Sequence, residues 1–363
     1  MMNKLSSKHY IFFLLAVSLI SLRGYSSIFI KLGRRDTWLA ALIAGLIFVL
    51  YSFFIFYVSK KTDTFDIRYV FSNVFSKAIG NILIILFCIG LFLTSIESAS
   101  VQCDSIHSNI FIETPIWYCL LFFIIPGMYL MTKRIDTLIV VVILTVLVAL
   151  GADVLTEAFT IPYQHPQNCL PILSSGINKD FLICILLSLG GFSSVAIAFP
   201  FLRYVDKKEK LLRNTTITNI FIVLLVSFSF FVLIATFGRV RSANIYYPDF
   251  VAAQRIQLKG FIEFGDLLFL LRTVSVWLIK YVLCAVAILY IYKDKFKSKK
   301  IFAVIYSLLA YACAYLVSKN HFLLFYLLKY YQLVGLLLLI IVPFIAYLIY
   351  YIKWNKKQQK AKA

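Results

Sequence analysis

Acidic residues are scarce in this chain: 16 Asp and Glu among 363 residues, with all charged residues together making up 14%. An ordinary soluble domain is about 25% charged, so little of this chain is built to face water. Paired cysteines are lacking as well. Cys88, Cys103, Cys119, Cys169, Cys184, Cys284 and Cys313 include no CxxC pair, and most lie inside apolar runs, where cysteine acts as a small hydrophobe. Only Cys103 and Cys169 stand where a bridge outside a membrane could form. Catalytic motifs are missing too. There is no GxGxxG, no P-loop and no GxSxG, since Gly191-Phe192-Ser193-Ser194-Val195 fails at its last position. His9, His107, His165 and His321 are too scattered for a metal cluster. These absences exclude a soluble enzyme, a disordered chain and a disulfide scaffold. They predict no enzymatic activity, metal or cofactor.

What is present is apolar: 62% of the residues are hydrophobic, against roughly 45–50% in a soluble domain. One soluble core cannot hold that excess. Ten apolar runs are legible, at about 10–32, 37–58, 79–102, 115–132, 135–158, 181–202, 215–238, 265–292, 301–318 and 333–352. Each approaches the roughly 20 residues of a membrane span. Lipid cannot satisfy backbone polar groups, and the runs do not alternate as barrel strands do, so the spans are expected to be helices. The reading is an all-α integral membrane protein, one transmembrane domain over residues 1–363. Lys4 and Lys8 before Ile11–Leu22 imitate a signal peptide. Arg23 follows directly, however, and no small-x-small site closes the run, so it is read as span one.

The net charge of +20 is read as topology rather than as affinity for nucleic acid. With a cytoplasmic N-terminus, 23 of the 36 Lys and Arg fall on the inner side and 10 on the outer. The positive-inside rule therefore predicts both ends in the cytoplasm. Asn214-Thr215-Thr216 spells a glycosylation sequon but falls on the inner side.

Two runs are interrupted by small and polar residues, at Arg23-Gly24-Tyr25-Ser26-Ser27 and Gly190-Gly191-Phe192-Ser193-Ser194. In a ten-span chain these are the first helices of two five-span halves. Matched breaks point to inverted repeats (about 8–158 and 180–318, with a last helix at 333–352 and a basic tail at 353–363) and to a ligand site at the breaks. The competing reading is that the glycines only let helices approach closely. The expected ligand residues are Arg23, Gly24, Tyr25, Ser26, Gly190, Gly191, Phe192 and Ser193. Freed backbone groups there would suit an amino-acid zwitterion.

Charges inside spans each need a reason, because one costs about 2.5–3.5 kcal/mol even on the insertion scale. Arg23 and Lys280 lie near the middle of their spans and Glu97 in the outer part of the third. Asp153 and Arg272 stand nearer an end and are expected to snorkel. Helical spacing places Thr94, Glu97, Val101 and Asp104 on one stripe, and Thr273 with Lys280 on another. The expected intramembrane network is Glu97, Asp104, Thr273 and Lys280. Spacing leaves two matters open: whether Glu97 pairs with Lys280 or Arg23, and whether the pair is static or lines a ligand cavity.

Several segments carry a family resemblance. They are Gly33-Arg34-Arg35-Asp36-Thr37-Trp38-Leu39, Glu113-Thr114-Pro115, Phe199-Pro200-Phe201-Leu202 with Lys207-Lys208-Glu209-Lys210, and Tyr247-Pro248 with Phe261-Ile262-Glu263, Asp266, Trp277 and Lys280. In order and spacing the chain resembles the permease-like B-subunit family of spore germinant receptors, within the amino acid–polyamine–organocation superfamily. The resemblance implies a LeuT-like five-plus-five fold, in which Lys280 would stand where a sodium ion often sits between helices one and eight. It also implies a spore inner-membrane location, an A-type membrane subunit and a C-type lipoprotein as partners, and sensing of a small nutrient, typically an amino acid. A secondary amino-acid transporter and a ligand-gated ion channel subunit are the alternatives.

Overall fold

The computed structural model describes residues 5–74, 76–174, 176–206, 208–258, 262–293, 296 and 298–362. Lys4, Lys207 and Phe261, named above, lie outside the described residues. Among the described residues the regular structure is helical apart from one short antiparallel ladder, β1 (Gln257–Leu258) with β2 (Ile262–Glu263). The described residues form fourteen α-helices, in order α1 (Ser7–Ser18), α2 (Ser27–Gly33), α3 (Thr37–Lys61), α4 (Ile67–Val74), α5 (Lys77–Asn109), α6 (Ile116–Met131) and α7 (Ile135–Thr160). Then come α8 (Lys179–Phe192), α9 (Leu211–Asn244), α10 (Pro248–Ala253), α11 (Gly265–Ile291), α12 (Lys299–Ser318), α13 (His321–Gly335) and α14 (Val342–Lys362).

Among the described residues, eight helical stretches are long and apolar enough to cross a membrane. They are Ser27–Lys61, Ala78–Asn109, Ile135–Tyr163, Lys179–Tyr204, Leu211–Asn244, Gly265–Ile291, Lys299–Ser318 and His321–Lys360. Two expected spans fall short on length. Helix α6 has 16 residues, and the first span is divided into α1 and the short α2. The last helix also departs from the reading at 333–352. It starts at His321 and runs through a π-turn at Leu336–Ile341 to Lys362, so the basic tail is helical. Residues 321–332, with the exposed Lys329 among them, form a helix whose apolar side is buried through Leu324, Phe325 and Leu328.

Local chemistry explains the ends. Ser6, Ser76, Asn178, Ser298 and Asn320 each accept a backbone N–H in the first turn of α1, α5, α8, α12 and α13, the ordinary capping role of these residues. Gly238 interrupts α9 with φ 71° and ψ 167°, a conformation that only glycine adopts cheaply. Asp36 holds the loop after α7 by accepting Leu173 N–H at 2.8 Å.

Packing joins elements far apart in sequence. Helix α1 packs on the 3₁₀ segment Ser193–Tyr204, α3 on α9, α5 on α11 and α6 on α12. One large core cluster runs through nearly all of these helices. The N-terminal strand-like contact Leu5–Val205 ties the start of α1 to the end of that 3₁₀ segment. All seven cysteines are free thiols, so Cys103 and Cys169 are not bridged; Cys169 packs instead against Ile234 and Ala235 of α9.

Candidate functional site

The first break is a hydrogen-bonded turn over residues 19–26 between α1 and α2. It places Ser21 and Tyr25 toward the centre of the bundle. The second break differs from the expected unwinding. Gly190, Gly191 and Phe192 stay α-helical, and from Ser193 to Tyr204 the chain tightens into a 3₁₀ helix. Packing accounts for the glycines. A Cβ at Gly190 would come within 2.1 Å of the Gln332 carbonyl oxygen, and one at Gly191 within 2.3 Å of Leu22. A Cβ at Gly24 would press on Trp277 at 2.7 Å. Close approach is therefore what these glycines provide in this packing.

Around this crossing five elements contribute one polar cluster. Lys280 of α11 donates to Glu97 Oε2 of α5 at 2.6 Å and to Ser21 Oγ at 2.9 Å. Tyr25 donates its hydroxyl to Glu97 Oε1 at 2.5 Å. Gln332 of α13 donates to the Tyr25 hydroxyl at 2.7 Å. Ser21 shares a hydrogen bond of 2.9 Å with Ser194, and Tyr331 donates to Thr94 at 2.9 Å. The Lys280 side chain is 0% exposed and that of Glu97 2%. Trp277 lies under the ammonium at 4.8 Å and stacks on Tyr25. The ion pair is thus desolvated, hydrogen-bonded on both partners and backed by an aromatic face.

Arg23, the other candidate partner of Glu97, turns elsewhere. It grips Asp153 of α7 with two hydrogen bonds of 2.8 Å. Arg272 of α11 holds the other side of the network, donating to Asp153 at 2.8 Å and also to Asp249 of α10. Arg272 and Asp153 do not snorkel: they are 2% and 6% exposed. Two arginines and two aspartates neutralise one another, which makes that burial tolerable.

Three expected members stand apart from the central cluster. Asp104 accepts from Tyr247 at 2.5 Å and meets His321 Nδ1 at 2.7 Å, so its partners come from the segment before α10 and the start of α13. Thr273 donates back to Phe269 of its own helix, as a threonine in an apolar helix often does. Phe192 stacks on Phe48 of α3, ring centroids 5.0 Å apart.

Sequence reasoning missed Ser21, Ser194, Tyr331 and Gln332. The signal for Gln332 was available: a glutamine just before a long apolar run has to be satisfied inside a helix bundle. Gln332 Oε1, on the residue that holds Tyr25, and the hydroxyls of Ser26 and Ser193 in the two breaks are buried with no hydrogen-bond partner among the described residues. A cavity of about 230 Å³ adjoins Glu97, Ser100 and Tyr331 between α5, α12 and α13, lined mostly by apolar side chains such as Ile96, Leu324 and Leu328. Among the described residues no group of His, Cys, Asp and Glu could hold a metal ion.

A family model described as spore germination protein matches residues 7–322. The chain belongs to the spore germination protein family. It is a permease-like, multi-pass membrane protein of spore germination. The match covers every element from α1 to the start of α13, including both breaks, Glu97 and Lys280. No curated protein matches the chain.

Proposed function

We propose that this spore germination protein is the nutrient-sensing subunit of a germinant receptor, binding a small amino acid where the two interrupted spans meet Glu97 and Lys280. The observation that carries the reading is a buried, charge-balanced pair whose Tyr25 neighbour is held by Gln332, itself with an unpartnered Oε1, while Ser26 and Ser193 of the two breaks also bury unpartnered hydroxyls. A zwitterion suits such a pair. Its ammonium can replace Lys280 at Glu97 while its carboxylate takes Lys280, so no net charge is buried. The orphan groups offer further hydrogen bonds, each worth about 1 kcal/mol net.

Insertion would part Glu97 on α5 from Lys280 on α11 and shift the bundle between two packings, the change its partners would read. Ten spans in a five-plus-five inverted repeat fit this scheme. The pairings α1 with the 3₁₀ segment, α3 with α9, α5 with α11 and α6 with α12 match spans one to four of one half with those of the other. In this reading the protein sits in the spore inner membrane beside an A-type subunit and a C-type lipoprotein, and the excess of basic residues on the inner side favours both termini on the core side. In this scheme the Lys280 ammonium, which reaches Ser21 of the first span, takes the place of the superfamily sodium ion, and sodium is dispensable.

Thermal unfolding of the purified chain against a panel of protein amino acids tests the reading. A ligand at a hundredfold excess over its Kd stabilises by about 2.7 kcal/mol. Stabilisation without uptake of the labelled amino acid by liposomes carrying the chain supports a sensor. Saturable uptake supports the transporter, and ion flux on ligand addition the channel. A panel with no stabilising member contradicts the reading.

A further inference from the structure

Beside the central cluster, the arginine–aspartate network has a fifth member, Glu157. It stands one turn beyond Asp153 on the same face of α7. Helices α11, α10 and α1 pack against α7. From α11, from α10 and from the turn after α1 come the groups that act electrostatically on Glu157: Arg272, Asp249 and Arg23, with Asp153 on its own helix. Arg23 in turn feels Asp153, Asp249 and Glu157. Tyr163, just past the end of α7, interacts with Arg255.

Asp153 and Asp249 already balance Arg23 and Arg272 through direct ion pairs. Among the described residues no ion pair includes Glu157, and its buried Oε2 has no hydrogen-bond partner. Fully ionised, the cluster would set three carboxylates against two guanidinium groups, an excess of one negative charge. The ordinary explanation is a buried water on Glu157. A water satisfies the orphan oxygen but leaves the excess charge, and an unpaired buried charge costs far more than an unpaired polar atom. A metal ion would remove the charge but needs several oxygen ligands. Asp153 and Asp249 give theirs to the arginines, and among the described residues no group of His, Cys, Asp and Glu could hold a metal ion. A proton needs one oxygen and leaves the cluster neutral. Glu157 is half-buried rather than sealed, so a proton has a path to it.

We propose that Glu157 is a proton-binding site, and that one proton held there completes the arginine–aspartate network. With the proton in place, Arg23 stays with Asp153. Once the proton leaves, the Glu157 carboxylate competes for Arg23 one turn further along α7. Arg23 is two residues from both Ser21 and Tyr25, so loss of the proton pulls on the turn that carries these two into the central cluster. The inference does not depend on the nutrient reading.

The test uses the full chain in neutral detergent. Infrared difference spectra across pH report the carbonyl stretch of a protonated carboxylic acid, and thermal unfolding is followed over the same range. The wild-type chain is expected to show a protonated-carboxyl band that fades as pH rises and that Glu157→Gln lacks. Glutamine copies the size and neutrality of the protonated acid, so this variant should stay folded. Glu113→Gln, at an exposed position, should keep the band. An unfolded glutamate releases its proton near a pKa of about 4.3. Above that pH a folded chain that still holds the proton loses stability as pH rises. Its unfolding equilibrium moves about tenfold toward the unfolded state per pH unit, until the folded chain releases the proton too. Glu157→Gln should lack this part of the pH dependence. Asp153→Asn removes the excess charge, so Glu157 should ionise and take Arg23, and the band should vanish with Glu157 still present. An unchanged band in Glu157→Gln or in folded Asp153→Asn, or parallel pH dependences of the wild-type chain and Glu157→Gln, overturns the proposal.

Discussion

Removing one member of the Glu97–Lys280 pair should be far more damaging than removing both. In Lys280→Met the Glu97 carboxylate, 2% exposed, loses its counter-charge and keeps neutral hydroxyl partners such as Tyr25. In Glu97→Gln the ammonium keeps Ser21 at 2.9 Å and the Trp277 ring at 4.8 Å. An uncompensated buried charge costs about 3–5 kcal/mol. The aromatic face recovers about 2 kcal/mol when desolvated, so Glu97→Gln should be the milder single change. In the double variant neither charge is stranded, and the total should fall short of the sum by about 2–3 kcal/mol. Arg23→Met combined with Glu97→Gln is the matched control. Arg23 is held by Asp153, so those two should add within about 0.5 kcal/mol. Unfolding in a denaturing detergent series measures all four terms. Strict additivity for Glu97/Lys280, or coupling of Arg23 to Glu97 instead, would refute the pairing.

Other consequences follow from the packing. Arg272→Met should cost more stability than Arg23→Met in the same unfolding assay, since Asp153 keeps Arg272 when Arg23 is lost, whereas losing Arg272 strands Asp249; equal costs would contradict the network. Gly190→Ala should destabilise by about 1–3 kcal/mol or more, because the obstructing atom is the Gln332 backbone oxygen. Gly151→Ala, with nothing within 4 Å, should be neutral or gain about 0.5–1 kcal/mol, and a tolerated Gly190→Ala would remove the close-approach explanation. Cysteines placed at Lys208 and Lys357 in a background without native cysteines should resist an impermeant thiol reagent in intact cells, while one at Gln167 should label; labelling at Lys357 would mean an odd number of spans. Native Cys169 should be sluggish toward such reagents near neutral pH, because burial pushes its thiol up to about 11, and its labelling rate should climb as pH rises toward that value.

The membrane class was legible because apolar runs and the scarcity of charge are properties of composition. Glu97 and Lys280 were legible for a related reason: a charge inside such a run has to be bought off by a partner. Which partner was not legible. Arg23, Glu97 and Lys280 sit on three different elements, and their meeting depends on helix rotation and depth, which no local spacing encodes. The same limit separated Asp104 from Glu97. They share a stripe on α5, yet their partners come from different ends of the bundle. The glycine pair was read as unwinding, but it serves the Gln332 backbone and Leu22, the close-packing alternative that the same residues also allowed. Asp153 and Arg272 were misplaced because snorkelling is the cheaper solution for an isolated charge, and neither is isolated.

The central claim is that a zwitterion enters the Glu97–Lys280 pair through both of its charges. The most direct measurement takes an amino acid that stabilises the purified chain and compares it with its N-acetyl derivative and its carboxamide. The account predicts that each derivative loses the thermal stabilisation, and that Glu97→Gln with Lys280→Met abolishes the response to the parent amino acid while remaining folded. Full stabilisation by either derivative, or an unchanged response in the double variant, would contradict it.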